Sequence, residues 1–160
     1  MSVVLYNARD FSFTPRPLPV PGDLRITWRL SLILLMLESS RARRASLAKL
    51  HVLNYASRSV KARQRLLGIL EGSVPTLFWQ MPVEPAFGRA LDFTVGEGFA
   101  IWQRVSSRSG LELTVSGSKA AEAIASRDDL LIEEKAFLEG DAKKISEAFV
   151  SRLLSVPRAR

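Results

Sequence analysis

The sequence predicts a mainly α protein with one small β-hairpin. Apolar residues make up 47% of its 160 positions, which is enough to build a hydrophobic core. They recur at helical spacing over most of the chain, and glycines, serines or prolines separate the helical stretches. Only residues 99–105 and 111–115 have the composition and alternation of strands, and a Ser- and Gly-rich turn over 106–110 joins them. These observations favour a single hairpin with helices before and after it.

The first 22 residues are predicted to form an extended, proline-rich arm. Prolines stand at every second position from Pro15 to Pro21, which excludes a helix there. Such an arm either packs on its own domain or reaches a neighbouring subunit, and the sequence leaves both possibilities open. Its candidate partner-contact residues are Phe11, Phe13, Leu18 and Val20.

Three helices are predicted over residues 24–39, 47–57 and 60–70. Asp23 is a good N-cap for the first helix, whose apolar run makes it the central core helix. A basic turn with the sequence RARR follows it. The apolar run is far shorter than the roughly 20 residues that a membrane span needs, and the N-terminus does not resemble a signal peptide. We therefore expect a soluble, cytoplasmic protein that has no membrane partner.

The segment over residues 74–83 is predicted to be extended, because Pro75 and Pro82 bound it. Within it, Phe78 and Trp79 are the best candidates for an exposed aromatic anchor that binds a partner. A helix over 85–95 then leads into the hairpin, with a proline in its tolerated first turn. Three more helices are predicted after the hairpin, over residues 118–126, 129–138 and 141–154.

This order of elements resembles a winged helix-turn-helix domain. In such domains a helix ends at a glycine, a two-stranded hairpin follows, and the second strand closes on a Leu-Thr-x-x-Gly-x-x-x-Ala phrase. Here the phrase reads LTVSGSKAA, with Gly117 at the strand-to-helix turn and Thr114 or Ser116 as the cap of the next helix. The resemblance implies a winged-helix domain with additional N-terminal helices over residues 23–126, followed by C-terminal helices over 127–160.

The net charge of +7 comes from the first half of the chain. Residues 1–75 contain 12 Lys and Arg against 4 Asp and Glu, whereas residues 76–160 contain 11 against 12. A stretch of one sign favours an anionic partner, either a phosphate backbone or an acidic protein surface, although an Arg-rich surface without a specific role gives the same pattern. The residues predicted to contact DNA backbone are Arg41, Arg43, Arg44, Lys49, Arg58, Lys61, Arg63 and Arg65 in that stretch, with Arg104 and Arg108 at the hairpin.

Sequence-specific reading of DNA is not favoured. In a DNA-reading winged domain the helix before the hairpin enters the major groove and presents Arg, Lys, Asn or Gln to the bases. That helix here offers only Arg89 as a donor, and Asp92 and Glu97 oppose it. If double-stranded DNA is bound, we therefore expect contact with its backbone and little base specificity.

A broader resemblance covers most of the chain. The phrases LRITWRLSLILLMLESSRARRASLAKLHVLNYASRS and DDLLIEEKAFL look like those of the small middle components of bacterial ABC-three-component (Lamassu-like) anti-phage defence systems. The positions that carry the likeness are Leu24, Trp28, Leu50, His51, Leu53, Asn54, Gly96, Glu97, Gly98, Leu130, Glu133 and Glu134. The resemblance implies a non-enzymatic subunit that links an SMC- or Rad50-like ATPase to an effector such as a nuclease. Winged subunits of SMC complexes usually carry two such domains, whereas one is evident here.

Few residues could support catalysis. The chain has no cysteine and a single histidine, His51, which excludes thiol nucleophiles, cysteine-ligated zinc and paired-histidine sites. His51 is best interpreted as a packed helical histidine. The acidic residues Asp128, Asp129, Glu133 and Glu134 fit a helix start better than a magnesium site. The three tryptophans are interpreted as core or interface residues rather than base-stacking platforms. We therefore predict no catalytic residue, no metal and no cofactor.

The sequence thus predicts an accessory subunit that contacts its ATPase and effector through the apolar arm and the 74–83 segment. A free-standing dimeric winged-helix transcription regulator is the alternative, and the donor-poor helix before the hairpin counts against it.

Overall fold

The computed structural model describes residues 22–155. The predicted contact residues of the arm, Phe11, Phe13, Leu18 and Val20, lie outside this range. Helix α1 (Gly22–Glu38) begins two residues before its predicted start, so that Asp23 falls within the helix and not before it. Its residues 32–37 are all buried, and it packs against four later helices and the sheet. The prediction of a central core helix is confirmed.

A short strand follows α1 where a turn was predicted. After a 3-10 turn over Arg41–Arg43, strand β1 (Arg44–Ser46) pairs antiparallel with a strand of the hairpin. Three residues are too few to show the alternation of apolar and polar residues by which a strand is recognised. The pairing also depends on a glycine far along the chain. A Cβ at Gly110 would lie 2.4 Å from the carbonyl oxygen of Ala45, so only glycine permits this approach.

Two helices joined by a single residue come next. Helix α2 (Leu47–Arg58) is capped by the hydroxyl of Ser46, and helix α3 (Val60–Leu70) by that of Ser59. Each hydroxyl accepts a hydrogen bond from a backbone N–H in the first turn, as N-cap serines do. Both helices lie within one residue of their predicted bounds.

Helix α4 (Pro85–Gly96) leads into the hairpin of β2 (Ala100–Val105) and β3 (Arg108–Leu113). The tip consists of Ser106 and Ser107 alone, both with positive φ, which is the backbone of a tight two-residue hairpin turn. The predicted five-residue turn was therefore too long, and Arg108 belongs to a strand.

The turn after the hairpin requires its glycine. Helix α5 (Val115–Ala125) is capped by Thr114, whose hydroxyl accepts from the N–H of Gly117 at 3.0 Å. A Cβ at Gly117 would lie 1.9 Å from the carbonyl oxygen of Phe99, so the start of α5 packs directly on the backbone before β2. The predicted roles of Thr114 and Gly117 are confirmed.

Helices α6 (Ile132–Glu139) and α7 (Glu147–Ser155) complete the described chain. Their buried side chains belong to the same core cluster as those of α1 and α2. The Glu147 carboxylate accepts hydrogen bonds from both the backbone N–H and the hydroxyl of Ser46, and Arg108 donates to Ser151 at 2.9 Å. Helix α7 thereby connects β1 with the tip of the hairpin.

The strand order of the sheet is β1-β3-β2, and both pairings are antiparallel. The fold is mainly α with a small β-hairpin, as predicted, and the hairpin gains β1 as a third strand. Within residues 22–155 no helix combines the length and the apolarity that crossing a bilayer requires.

Candidate functional site

Four polar residues from three parts of the chain meet at the start of α4. Glu84, just before this helix, accepts hydrogen bonds from Arg29 of α1 at 2.5 Å, from Asn54 of α2 at 2.9 Å and from Arg58 at the end of α2. The guanidinium of Arg58 also lies over the ring of Trp28, 5.8 Å from its centroid. We call Arg29, Asn54, Arg58 and Glu84 the Glu84 clasp. It fixes the chain before α4 against α1 and α2.

The electrostatics of the clasp favour an ionised Glu84. Burial by itself would raise the pKa of this carboxyl. The hydrogen bonds from Asn54 and Arg58, together with the charges of Arg58 and Arg29, act in the opposite direction and outweigh burial, so the pKa of Glu84 lies below its usual value. Glu84 therefore holds the two arginines as an anion at neutral pH.

The segment over residues 75–83 is held by the clasp at one end and by Trp79 in its middle. Trp79 is buried, and its ring meets that of Tyr55 edge-on at 5.6 Å. The prediction that Trp79 is an exposed anchor was wrong: it fixes the segment to α2. Phe78 is 53% exposed. Leu77 at 60% and Val83 at 87% are exposed as well, and the sequence had not singled them out within the predicted 74–83 contact segment. We call residues 75–83 the presented loop, because a buried residue fixes it to the protein while its apolar side chains are exposed to solvent.

The structure places Lys49 inside the protein rather than on the predicted DNA surface. Its side chain is only 7% exposed and lies on the buried side of α2, near the Glu147 carboxylate. Burial lowers the pKa of Lys49, and the charge of Glu147 opposes this change. The prediction of a phosphate contact at Lys49 was wrong. Helical spacing could have revealed this, since Lys49 precedes the buried Val52 and Leu53 by three and four positions.

Three more of the predicted DNA contacts are engaged within the chain. Arg43 pairs with Glu38 at 3.2 Å, and Arg58 belongs to the Glu84 clasp. Arg63 donates to the carbonyl oxygen of Ser57 at 2.9 Å, and its guanidinium lies over the ring of Phe137. Arg43 and Arg58 are thus paired with carboxylates, and Arg63 is held by a helix end and a ring.

The remaining predicted cations have weaker internal ties. Arg41, Arg44, Lys61 and Arg104 are exposed, and no ion pair or side-chain hydrogen bond of theirs is found within the described residues. Arg65 is half-buried, and Arg108 is exposed with one hydrogen bond to α7. The charge available to a partner is thus smaller than the sequence indicates, and it lies around β1, on α3 and on the hairpin.

The exposed side of α4 does not suit base reading. Phe87, Ala90, Leu91 and Thr94 face the core, whereas Arg89, Asp92 and Phe93 are exposed. One donor beside one carboxylate and one aromatic ring makes a weak reader of base edges. The expectation of a donor-poor helix agrees with this placement.

Trp102 is half exposed on the hairpin, so it is not a core residue. It stands on β2 opposite Leu111 of β3 and lines an open concavity of about 500 Å³. The sequence does not distinguish it from the other two tryptophans, because only its position in the register shows that it projects beyond the packed part of the sheet.

The remaining candidates for chemistry take structural positions. His51 meets Phe87 edge-on at 5.0 Å, as expected for a packed helical histidine, and burial lowers its pKa against the opposing charge of Glu84. Asp129 is paired with Arg127, whose hydrogen bonds lower the pKa of that carboxyl to about 2. It precedes α6, which begins at Ile132 and not at the predicted residue 129. Over residues 22–155 no cluster of three or more His, Asp or Glu could hold a metal ion.

Comparison of the chain with protein-family models, with curated proteins and with solved structures finds no match.

Proposed function

We propose that the chain is a non-enzymatic accessory subunit of an SMC- or Rad50-like ATPase complex in a Lamassu-like anti-phage defence system. In this proposal it works in the cytoplasm, bridges the ATPase and an effector nuclease, and contacts DNA backbone without sequence specificity. The resemblance of its sequence to the small middle components of such systems is the starting point. The surface properties of the described residues support a binding role.

The observation that carries the proposal is the presented loop. Apolar side chains that are more than half exposed are costly to leave in water, yet Leu77, Phe78 and Val83 stand on one short segment. The segment is fixed by the burial of Trp79 and by the Glu84 clasp. A pre-positioned apolar loop loses little conformational freedom on binding, which is the property of a protein-interaction surface.

The arrangement of the sheet supports a winged-helix assignment. The strand order β1-β3-β2, with the hairpin directly after a helix, is the order that a winged domain requires. Three helices, rather than two, separate β1 from the hairpin. The same order would suit a transcription regulator, but the exposed side of α4 offers a single donor, Arg89, to base edges.

Co-purification tests the proposal. The tagged full-length protein, isolated at native expression level, is expected to bring down an ABC-type ATPase and a nuclease in fixed stoichiometry. Replacing Leu77, Phe78 and Val83 together by serine is expected to abolish recovery of at least one of them. Val115→Ser and Ile132→Ser serve as the control, because these residues are also more than half exposed, at 76% and 64%, but lie far along the chain from the loop.

Two results would contradict the proposal. A lone homodimer, recovered without an ATPase, would favour the free-standing regulator. Full recovery of both partners with the triple serine variant would show that the presented loop is not the interface.

A further inference from the structure

Trp102 is an exposed aromatic residue on a rigid support. It lies in the middle of β2 and pairs with Leu111 of β3, which is fully buried. Cross-strand neighbours stand side by side on one face of a sheet, so Trp102 projects next to the edge of the core and keeps half of its surface in solvent. A tryptophan held in this way offers a flat ring at little entropic cost.

Among residues 22–155, the side chains that line the concavity beside Trp102 are polar, and none of them is negatively charged. The concavity beside it is lined by Trp102, Gln103, Arg104, Ser107 and Ser109, and none of these five residues is acidic. Arg104 is exposed, and it projects from the same face of β2 as Trp102, two residues nearer the tip. The only carboxylate in the paired strands, that of Glu112, already accepts from the Gln103 amide at 3.3 Å.

The geometry of the tip keeps this face in place. The backbone φ angles of Ser106 and Ser107 are 49° and 66°. Residues other than glycine and asparagine seldom adopt such positive values. The tip is also tied to α7 through the hydrogen bond from Arg108 to Ser151. The ring, the guanidinium and the serine hydroxyls therefore face solvent from a fixed hairpin.

We propose that this hairpin face binds unpaired nucleotides of a nucleic-acid strand. A base stacks on Trp102, the neighbouring phosphate pairs with Arg104, and the hydroxyls of Ser107 and Ser109 donate to phosphate or base oxygens. Stacking on an aromatic ring combined with a cation along the backbone is how proteins hold single strands without reading their sequence. The inference rests on the proposed contact with DNA, and it specifies that the DNA bound at this site is single-stranded.

Chemistry favours an unpaired strand over the other occupants. In duplex DNA the faces of the bases are covered by their neighbours and only the edges are accessible, so Trp102 has no ring to stack on. An apolar protein surface would find one aromatic ring among four polar side chains here, whereas the presented loop offers three exposed apolar side chains. The hairpin face therefore suits a nucleotide better than a protein.

Fluorescence binding assays with the full-length protein test the proposal. The probes are a fluorescein-labelled 12-residue oligothymidine and a 12-base-pair duplex, both at low salt. Trp102→Ala is expected to weaken binding of the single strand by about tenfold or more, as the loss of one stacking contact does, and to leave duplex binding within about twofold. Trp102→Phe, which keeps a ring, is expected to restore most of the affinity, and the single strand is expected to quench tryptophan emission of the wild type but not of Trp102→Ala.

The matched control is Ile101→Ala. Ile101 is also 50% exposed, adjoins Trp102 on β2 and projects from the opposite face, so its loss should not change single-strand binding. Equal loss of affinity in the two alanine variants, equal loss for single strand and duplex, or unchanged binding in Trp102→Ala would each overturn the proposal. The subunit role is judged separately by recovery of the ATPase, so either proposal can fail while the other stands.

Discussion

The presented loop and the hairpin both expose aromatic side chains, but they are anchored by different physical means. Besides the burial of Trp79, the loop is held by charge at one end, where Glu84 binds Arg29, Asn54 and Arg58. The hairpin is held by close packing of backbone, because Gly110 and Gly117 leave no room for a Cβ against Ala45 and Phe99. A charged anchor responds to pH and a steric anchor does not. The two surfaces should therefore be separable by mutation and by acid.

The largest expected effect is at the steric anchor. Gly117→Ala would drive a Cβ into the carbonyl oxygen of Phe99 and is expected to lower the free energy of unfolding by about 3 kcal/mol. Urea denaturation at pH 7 and at pH 5 measures it, and the loss should be the same at both. Gly96→Ala is the control: its added Cβ would meet no atom of another described segment within 4 Å, and this helical position should be neutral or slightly stabilised. A similar loss in both variants would refute the packing argument.

A smaller effect is expected at the charged anchor. Glu84→Gln leaves Arg29 and Arg58 without their anion and is expected to cost about 2 kcal/mol at pH 7, since the cluster is partly solvated. The pKa of Glu84 is lowered by folding, so its contribution is complete above the ordinary value of 4.5 and is lost as the pH falls through the lower folded pKa.

The comparison that isolates this contribution is a pair of pH titrations of stability. The difference between wild type and Glu84→Gln should shrink below pH 4.5, whereas Glu97→Gln, the same change at the exposed end of α4, should match the wild type throughout. A difference that stays constant down to acid pH would show that the carboxylate charge does not hold the loop.

The smallest effect is expected at His51 of α2, whose ring packs against Phe87 of α4. Burial lowers its pKa below the ordinary 6.5, so the unfolded chain takes up the proton first. The free energy of unfolding should therefore fall as the pH drops below about 6.5, by less than about 1 kcal/mol because the ring is only partly buried. His51→Gln should remove this slope, and thermal melts between pH 7 and pH 5 detect it. A slope that survives in the variant would have another origin, since the chain has no second histidine.

The sequence predicted what depends on local pattern. Helical spacing located α2 and α3, and Gly117 with Thr114 marked the turn into α5. Features that depend on distant partners were missed. Strand β1 needs Gly110 as its neighbour, and the burial of Trp79 needs the ring of Tyr55, 24 positions earlier.

The distribution of charge along the sequence was the poorest guide to the surface of the folded protein. A run of eight cations indicates a positive surface, yet whether each cation is free depends on carboxylates, carbonyls and rings elsewhere in the chain. Arg58 pairs with Glu84, Arg63 contacts the end of α2 and the ring of Phe137, and Lys49 is buried. The exposure of Trp102 was equally hidden, because strand composition alone does not show where the core ends.

The bond between Ser46 and Glu147 joins residues 101 positions apart, and it has a consequence for the chain during synthesis. A ribosome that has released the first 140 residues has produced the whole sheet and six of the seven α-helices that the structure describes, but not the carboxylate that binds the start of α2. Until α7 has been synthesised, the parts of β1 and of the hairpin that α7 contacts remain exposed to solvent. Nascent chains that end before Glu147 should therefore be cut by protease near Ser46, and chains that include α7 should resist.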